Sequence, residues 1–191
     1  MSVQTSSSQD NMETLRGKYR LGRLCILVVL ALSAVQTLLI SLGVDMVLVF
    51  SSFAPYLLVL YGRLFTGKLP PQYYEGEDMA TLEFLPGGFL IGTIALAVFL
   101  LLLYLLVWFF SKNEEGNWML FGLVLYAVDA VIMLVLFGIQ WPLLLHYVLH
   151  GIVIGALASA TSSGIRLRQI LRARRRATTQ PPKHSSYLED E

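Results

Sequence analysis

The stretch NWMLFGLVLYAVDAVIMLVLFG, residues 117–138, is almost entirely apolar, and one carboxylate, Asp129, lies near its middle. An apolar run of about 20 residues, at a rise of about 1.5 Å per residue, can cross the hydrocarbon core of a bilayer as a helix. A carboxylate at the centre of such a helix costs about 2.5–3.5 kcal/mol on insertion scales. The stretch therefore predicts a membrane protein in which Asp129 needs a partner or a function.

The composition of the whole chain supports this class. Of its 191 residues, 55% are hydrophobic and 14% are charged, whereas soluble domains are about 25% charged. The single cysteine, Cys25, excludes an intramolecular disulfide and a cysteine-pair metal or redox site. The sequence contains no G-x-S-x-G, Walker A, G-x-G-x-x-G or H-E-x-x-H motif. We therefore predict a non-enzymatic protein without a cofactor.

Four further apolar stretches have a similar length. The five segments span about residues 24–42, 46–64, 88–110, 118–137 and 141–163. They predict an all-α fold, an integral membrane bundle of four or five transmembrane helices within residues 21–165. Outside this bundle we predict a disordered polar arm at 1–20, a basic juxtamembrane helix at 166–177 and a disordered tail at 178–191.

The second segment leaves the number of crossings open. It carries Ser51, Ser52 and, within the apolar run, Pro55, so it forms either a full crossing or a re-entrant element buried by the protein. Basic residues flank both ends of the apolar region, and the positive-inside rule places both ends in the cytoplasm only if the number of crossings is even. Five segments give an odd number. We expect the C-terminus in the cytoplasm and the acidic loop 66–84 outside, and the side of the N-terminus stays open.

Six arginines follow the last apolar segment. Polybasic segments next to a membrane attract anionic lipid headgroups, so we expect these side chains to contact headgroups and not nucleic acid. They are Arg166, Arg168, Arg172, Arg174, Arg175 and Arg176.

Several strings of this sequence resemble one group of proteins. They are LVFSSFAPYLLVLYG at 48–62, PPQYYEG at 70–76, LEFLPGGF at 82–89, LYLLVWFFSK at 103–112 and GLVLYAVDAVIML at 122–134. Together they are similar to a group of small multipass bacterial membrane proteins with no assigned activity, over most of residues 24–171. The resemblance implies a bacterial inner-membrane protein and no catalytic residue. It also implies a strongly basic loop between segments three and four, where this chain has the nearly neutral SKNEEGN.

Depth along the helices gives Asp129 a partner. Segments four and five are joined by a short turn near residues 139–141 and should form an antiparallel hairpin. Asp129 lies about 11 residues before this turn and His150 about 10 after it, so at about 1.5 Å per residue the two lie at nearly the same depth. His146 is one helical turn from His150 on the same face. We predict an intramembrane polar cluster of Asp129, His150 and His146.

Three interpretations of this cluster remain open. The first is a structural lock between segments four and five, in a non-enzymatic protein that acts by association with itself or with another membrane protein. The second is a protonatable site in an ion- or proton-coupled transport system, with Asp129 as the titrating group. The third is an intramembrane metal-binding protein or enzyme in which the three side chains supply nitrogen and oxygen ligands. We favour the first.

Segment five also carries a row of small residues at four-residue spacing, Gly151, Gly155, Ser159 and Ser163. Small residues allow the backbones of two helices to approach closely, either within one protomer or in a dimer. We expect packing within the protomer.

Aromatic and acidic residues occur together in the loop after segment two. A solvated loop is the interpretation we favour, and a site for a cation or a partner outside the membrane is the alternative. The residues are Tyr73, Tyr74, Glu75, Glu77 and Asp78.

Overall fold

Five α-helices account for most of the chain. In the computed structural model, which describes residues 3–44, 46–48, 50–75, 82–113 and 116–179, they are α1 (Val3–Ser41), α2 (Phe53–Phe65), α3 (Gly88–Phe110), α4 (Gly116–Phe137) and α5 (Leu144–Thr179). Short 3₁₀ turns lie at Pro71–Tyr74, Ser111–Asn113 and Trp141–Leu143. The prediction of an all-α fold is confirmed.

Four of the described helices, α1, α3, α4 and α5, are long enough and apolar enough to cross a membrane. α2 has 13 residues. At about 1.5 Å per residue it is about 20 Å long, which is less than a hydrocarbon core of about 30 Å. The described chain is therefore a multipass bundle of four long helices with one short apolar helix packed among them.

α2 starts in the middle of the bundle and ends at its surface. Its first residue, Phe53, lies beside Asp129 near the middle of α4, with the backbone nitrogen 2.9 Å from the carboxylate. Close to its last turn, Arg63 donates to the carbonyl oxygens of Ile40 and Ser41 at the end of α1, at 3.0 and 3.1 Å. Between α1 and α2 the chain is not helical at 46–48 and 50–52. Segment two thus turns back within the bundle toward the end at which α1 ends, and its helix covers 53–65 instead of the predicted 46–64.

The four long helices bring the two basic regions of the chain to one end of the bundle. The Tyr19 hydroxyl donates to the carbonyl oxygen of Ser111, just after α3, at 2.7 Å, and Gly22 lies against Ala160 of α5. We call this end, where α1 begins and α5 ends, the basic end. The opposite end, where α2 ends and the loop 66–84 begins, is the acidic end. If these four helices alone cross a membrane, the number of crossings is even and the two basic regions lie on the same side.

Residues 3–20 of the polar arm are helical, in contrast to the prediction of disorder at 1–20. α1 begins at Val3, and Tyr19 is 1% exposed and packs against Gly164 of α5. Polar composition argues against a core, but α5 continues past Gly164 and supplies a surface on which Tyr19 of the arm packs. The basic segment 166–177 is therefore part of α5. Residues 180–191 of the expected tail lie outside the described residues.

Two apolar clusters fill the bundle on either side of its middle. Asp129 lies between them, since Tyr126 belongs to the cluster nearer the basic end and Met133 to the cluster nearer the acidic end. The first contains Tyr19, Ile26, Val29, Tyr104, Val107, Met119, Tyr126, Val153, Leu157 and Ala160. The second contains Ile40, Phe53, Tyr56, Leu57, Val59, Ala97 and Met133.

Two glycines test the packing of α1 against α5. A Cβ added at Gly22 would lie 2.3 Å from the Cβ of Ala160, so we expect Gly22→Ala to lower the free energy of unfolding by about 1–3 kcal/mol through overpacking. Gly155→Ala is the matched control, because a Cβ there meets nothing within 4 Å and alanine favours a helix over glycine by about 0.5–1 kcal/mol. Unfolding of both variants in one detergent measures the difference. Equal stability would contradict this helix contact.

Single-cysteine labelling tests the number of crossings. On a Cys25→Ser background, cysteines at positions 18, 112 and 176 should react with a membrane-impermeant maleimide from one side, and a cysteine at position 75 from the other. The native side chains at all four positions are exposed. If position 18 reacts from the same side as position 75, the number of crossings is odd and the re-entrant course of α2 is wrong.

Candidate functional site

The carboxylate of Asp129 binds the first turn of α2. Its Oδ1 accepts hydrogen bonds from the Ser52 hydroxyl at 2.9 Å and from the backbone N–H of Ala54 at 2.6 Å. Its Oδ2 accepts one from the backbone N–H of Phe53 at 2.9 Å. Since Asp129 is only 2% exposed, these protein donors, and not solvent, compensate its burial.

The sequence around the start of α2 explains why the helix takes its cap from α4. The first N–H groups of any helix have no acceptor within that helix. Ser52, at the N-cap position, makes no capping hydrogen bond with its own side chain, and its hydroxyl donates to Asp129. Pro55 has no N–H and is well tolerated in a first turn, so it marks the start of α2 and does not break it. Asp129 thus serves as a capping anion at the positive end of the α2 dipole.

His150 completes the surroundings of the carboxylate. Its Nε2 lies 3.2 Å from Oδ2 of Asp129, and its Nδ1 donates to the carbonyl oxygen of His146 at 2.9 Å. The ring stacks on Tyr126, with centroids 4.8 Å apart and planes 14° from parallel. His150 is 3% exposed. Two hydrogen bonds and one stacking contact therefore fix its position in the core.

The hydrogen bond between Asp129 and His150 has two possible forms, which differ in the atom that carries the hydrogen. A backbone carbonyl only accepts, so the hydrogen on Nδ1 of His150 is directed to His146. Nε2 then either carries a second hydrogen and donates to the carboxylate, or accepts one from a protonated carboxyl group of Asp129. In both forms Nε2 and Oδ2 are the two atoms that the hydrogen bond joins, 3.2 Å apart.

Side chains of α1 hold the segment that precedes α2. The Ser33 hydroxyl accepts from the backbone N–H of Ser52 at 2.6 Å. Oε1 of Gln36 accepts from the backbone N–H of Leu48 at 3.2 Å and also from the Ser51 hydroxyl. These contacts supply partners for non-helical backbone at mid-membrane depth, where water is absent.

Tyr104 brings α3 into the same cluster. Its hydroxyl donates to the Ser52 hydroxyl at 3.4 Å, and the Ser52 hydroxyl donates to Asp129. A continuous row of hydrogen-bonded groups therefore runs from Tyr104 through Ser52 and Asp129 to His150. With Ser33 of α1, all five helices meet at this point.

Phe50 lies at the sharp turn before α2. Its φ is 68°, a left-handed conformation that is uncommon outside glycine. Such a conformation costs about 1–3 kcal/mol and persists only where the surroundings impose it. Its side chain packs, partly buried, against the apolar cluster nearer the basic end. The contacts of Gln36 and Asp129 on either side of the turn therefore hold a strained backbone in place.

Two buried polar atoms beside the cluster have no hydrogen-bond partner within the described residues. They are Nε2 of Gln36 and the hydroxyl of Tyr126. Buried polar groups in proteins normally have a partner, either protein or an internal water.

The predicted site residues do not all come together. Asp129 and His150 lie in contact, but the ring of His146 is not among the groups around Asp129, and His146 contributes its backbone carbonyl instead. In the part of the chain that the structure describes, no three His, Cys, Asp or Glu side chains are grouped so as to hold a metal ion. The metal interpretation requires Asp129, His146 and His150 to converge on one point, and these described side chains do not.

The row of small residues is not used for packing within the protomer. Gly151, Gly155 and Ser159 are exposed, and a Cβ on either glycine would meet nothing within 4 Å. Ser163 alone in the row is buried, at 3% exposure. The expectation of packing within the protomer is wrong for the first three, because α5 approaches α1 through a different face that includes Gly164.

The arginines of α5 lie in the section of the helix that is at the basic end. Their contact with lipid headgroups stays a prediction, and the side chain of Arg174 lies outside the described part of the chain. Arg166, Arg172, Arg175 and Arg176 are exposed and Arg168 is half-buried.

Several residues of the site were not predicted. Ser33 and Gln36 lie within an apolar run, where polar side chains signal a buried partner. Ser52 directly precedes Phe-Ala-Pro, and serine immediately before a proline-containing first turn is a helix-start signal. Tyr104 carried no signal, because tyrosine is common in membrane helices.

Comparison of the chain with protein-family models, with curated proteins and with solved structures found no significant match in any of the three.

The stability of Asp129 variants tests the capping contact. Asp129→Ala removes the acceptor for the donors of Ser52, Phe53 and Ala54. Each buried donor left unpaired costs about 1–3 kcal/mol, and we expect a total loss of about 3–5 kcal/mol in the free energy of unfolding. Unfolding in detergent, followed by circular dichroism, measures it.

The two histidines supply a matched control for this measurement. His150→Ala should cost about 2 kcal/mol or more, because it removes the Asp129 contact and the stacking on Tyr126. His146→Ala keeps the carbonyl that binds His150 and should change stability by less than about 1 kcal/mol. The reverse order of the two histidine variants would show that the cluster is wrongly placed.

Proposed function

We propose that this chain is a non-enzymatic integral membrane protein that acts by association with a second copy or with another membrane protein. In this proposal Asp129 is a structural lock for the re-entrant helix α2. The observation that supports this role is that both carboxylate oxygens are occupied by groups of the chain itself: the Ser52 hydroxyl, two backbone N–H groups of α2 and His150. A carboxylate bound in this way has no position left for a substrate.

The outer face of α5 supports the association part of the proposal. Gly151, Gly155 and Ser159 form a surface of small side chains on a helix long enough to cross a membrane. Helices in membranes associate through such surfaces, because close backbone approach increases van der Waals contact where no hydrophobic driving force operates. The open space around the two glycines leaves room for a helix from another protein.

The proposed setting is the inner membrane of a bacterium, with both chain ends in the cytoplasm. The family resemblance supports the membrane, and the basic residues at both ends support the orientation. The arginines after residue 165 would then lie at the cytoplasmic surface and contact anionic headgroups.

A leucine at position 155 tests association. Gly155→Leu fills the open face without a clash inside the protomer, so the protein should stay folded while self-association weakens about tenfold or more. Gly92→Leu is the matched control, since Gly92 is an exposed glycine of α3 with open space around its Cβ. Single-molecule photobleaching counts the copies per particle in lipid nanodiscs and in vesicles. A parent protein that is monomeric and retains no membrane-protein partner on purification contradicts the proposal.

Proton-coupled transport is the alternative, and the proton between His150 and Asp129 supports it. The row from Tyr104 to His150 could pass a proton between neighbouring groups. This alternative requires that vesicles containing the parent protein equilibrate a pH gradient faster than empty vesicles, and that Tyr104→Phe slows them. Equal rates for protein-containing and empty vesicles contradict it.

A further inference from the structure

An apolar groove opens toward the bilayer between α3 and α4, with α2 as its floor. Its volume is about 350 Å³. The helices diverge here because α2 is inserted between them, whereas at the basic end α3 and α4 meet through the stacked rings of Phe110 and Trp118, 4.7 Å apart. The groove is lined by Ala54, Leu58, Tyr61, Leu96, Leu100 and Ile132, among others.

A second cavity lies at the acidic end, directly beyond α2. Its volume is about 520 Å³, and two carboxylates, Glu75 and Glu83, line it together with aromatic rings. The walls are held by Tyr74 and Phe84, whose rings meet edge to face at 5.7 Å, and by a hydrogen bond of 2.8 Å from the Leu85 N–H to the Phe65 carbonyl oxygen. The cavity therefore combines negative charge with aromatic faces at the level where the membrane ends.

The groove and the cavity lie on the same face of α2. Leu58 and Tyr61 line the groove, Phe65 lines the cavity, and spacings of three and four residues place side chains on one face of a helix. The rings of Tyr61 and Phe65 stack at 6.1 Å, so a side chain that lines the groove is in contact with one that lines the cavity. The positive side chain of α2, Arg63, points elsewhere, to the carbonyl oxygens of Ile40 and Ser41.

We propose that the groove and the cavity form one binding site for an amphiphile with an alkyl chain and a protonated amine headgroup. The alkyl chain lies in the groove between α3 and α4, against Leu58 and Tyr61. The amine lies in the cavity, where Glu75 and Glu83 supply opposite charge and the face of Tyr73 can make a cation–π contact. A carboxylate or sulfate headgroup is disfavoured by the same two glutamates.

The dimensions favour a single alkyl chain over a protein helix. A helix with its side chains is about 10–12 Å across, and a groove of about 350 Å³ is too small to accept one. An alkyl chain needs no hydrogen-bond partner, which suits a lining that is aliphatic apart from Tyr61. This proposal goes beyond association through α5, and it depends on the position of α2 and not on that association.

The test uses the full-length protein in nanodiscs of zwitterionic lipid at neutral pH. The probe is a twelve-carbon alkylamine with a photoreactive diazirine in its chain, and the unlabelled competitors are dodecylamine and dodecanoate. We expect photolabelled residues on α2, α3 and α4 along the groove. We also expect dodecylamine to compete about tenfold more strongly than dodecanoate, from the combined ion-pair and cation–π contributions.

Matched variants separate the two halves of the site. Leu58→Trp, which fills the groove, should reduce labelling about tenfold or more, while Leu102→Trp, at an exposed position of α3, should not. The double variant Glu75→Gln, Glu83→Gln should keep chain labelling and lose the preference for amine over carboxylate, while Glu13→Gln at the basic end should keep that preference. Leu100→Trp, on the other wall of the groove, repeats the first measurement if Leu58→Trp does not fold.

Two results would overturn the proposal. Equal competition by dodecylamine and dodecanoate on the parent protein would show that the cavity does not bind the amine. Parent-level labelling of a folded Leu58→Trp or Leu100→Trp variant would show that the chain does not lie in the groove. Neither result bears on self-association through Gly155, so failure of this site and failure of the proposed function are distinguishable.

Discussion

The hydrogen bonds between Asp129 and the first turn of α2 are the interaction on which the rest of the structure depends. A helix that begins in the middle of a membrane has N–H groups that neither lipid nor water can satisfy, and an isolated carboxylate at the same depth is equally costly. Here the backbone N–H groups of α2 donate hydrogen bonds to the carboxylate of Asp129 at 2.6–2.9 Å, so that each compensates the cost of burying the other. Half-helices in membranes commonly direct their N-termini toward an anion, and here the chain supplies the anion itself.

This one contact has consequences at both ends of the bundle. Because α2 is held at mid-depth, it returns to the end at which it entered, and the four long helices bring both basic regions together. Because α2 separates α3 from α4 near the acidic end, it creates the groove that we assign to an alkyl chain. The strained turn at Phe50, with φ 68°, has the same origin, since the chain must reverse sharply between α1 and α2 for the first turn of α2 to reach Asp129.

Some features of the site could be read from particular residues. The shared depth of Asp129 and His150 followed from counting residues on either side of a short turn, because helical rise is constant. The same counting placed the ring of His146 in the cluster, where the structure has only its backbone carbonyl. Depth and helix face do not determine which side chain reaches Asp129. Gly151 and Gly155 predicted packing within the protomer, but the structure leaves both exposed, because four-residue spacing alone does not say whether a helix face turns toward the protomer or away from it. The arm at 1–20 was predicted from composition as disordered, and only the presence of α5 beside it explains its helix.

The sequence by itself determined the class of this protein, since apolar runs of about 20 residues have few alternatives to membrane helices. It also determined the depth of the buried charge and the asymmetry of charge between the ends. The tertiary structure decided how that charge is satisfied, because the donors of Ser52, Phe53 and Ala54 come from a segment far away in sequence and two of them are backbone N–H groups, which every residue type except proline carries. Such donors leave no mark in a sequence, and only the path of α2 through the bundle brings them to Asp129.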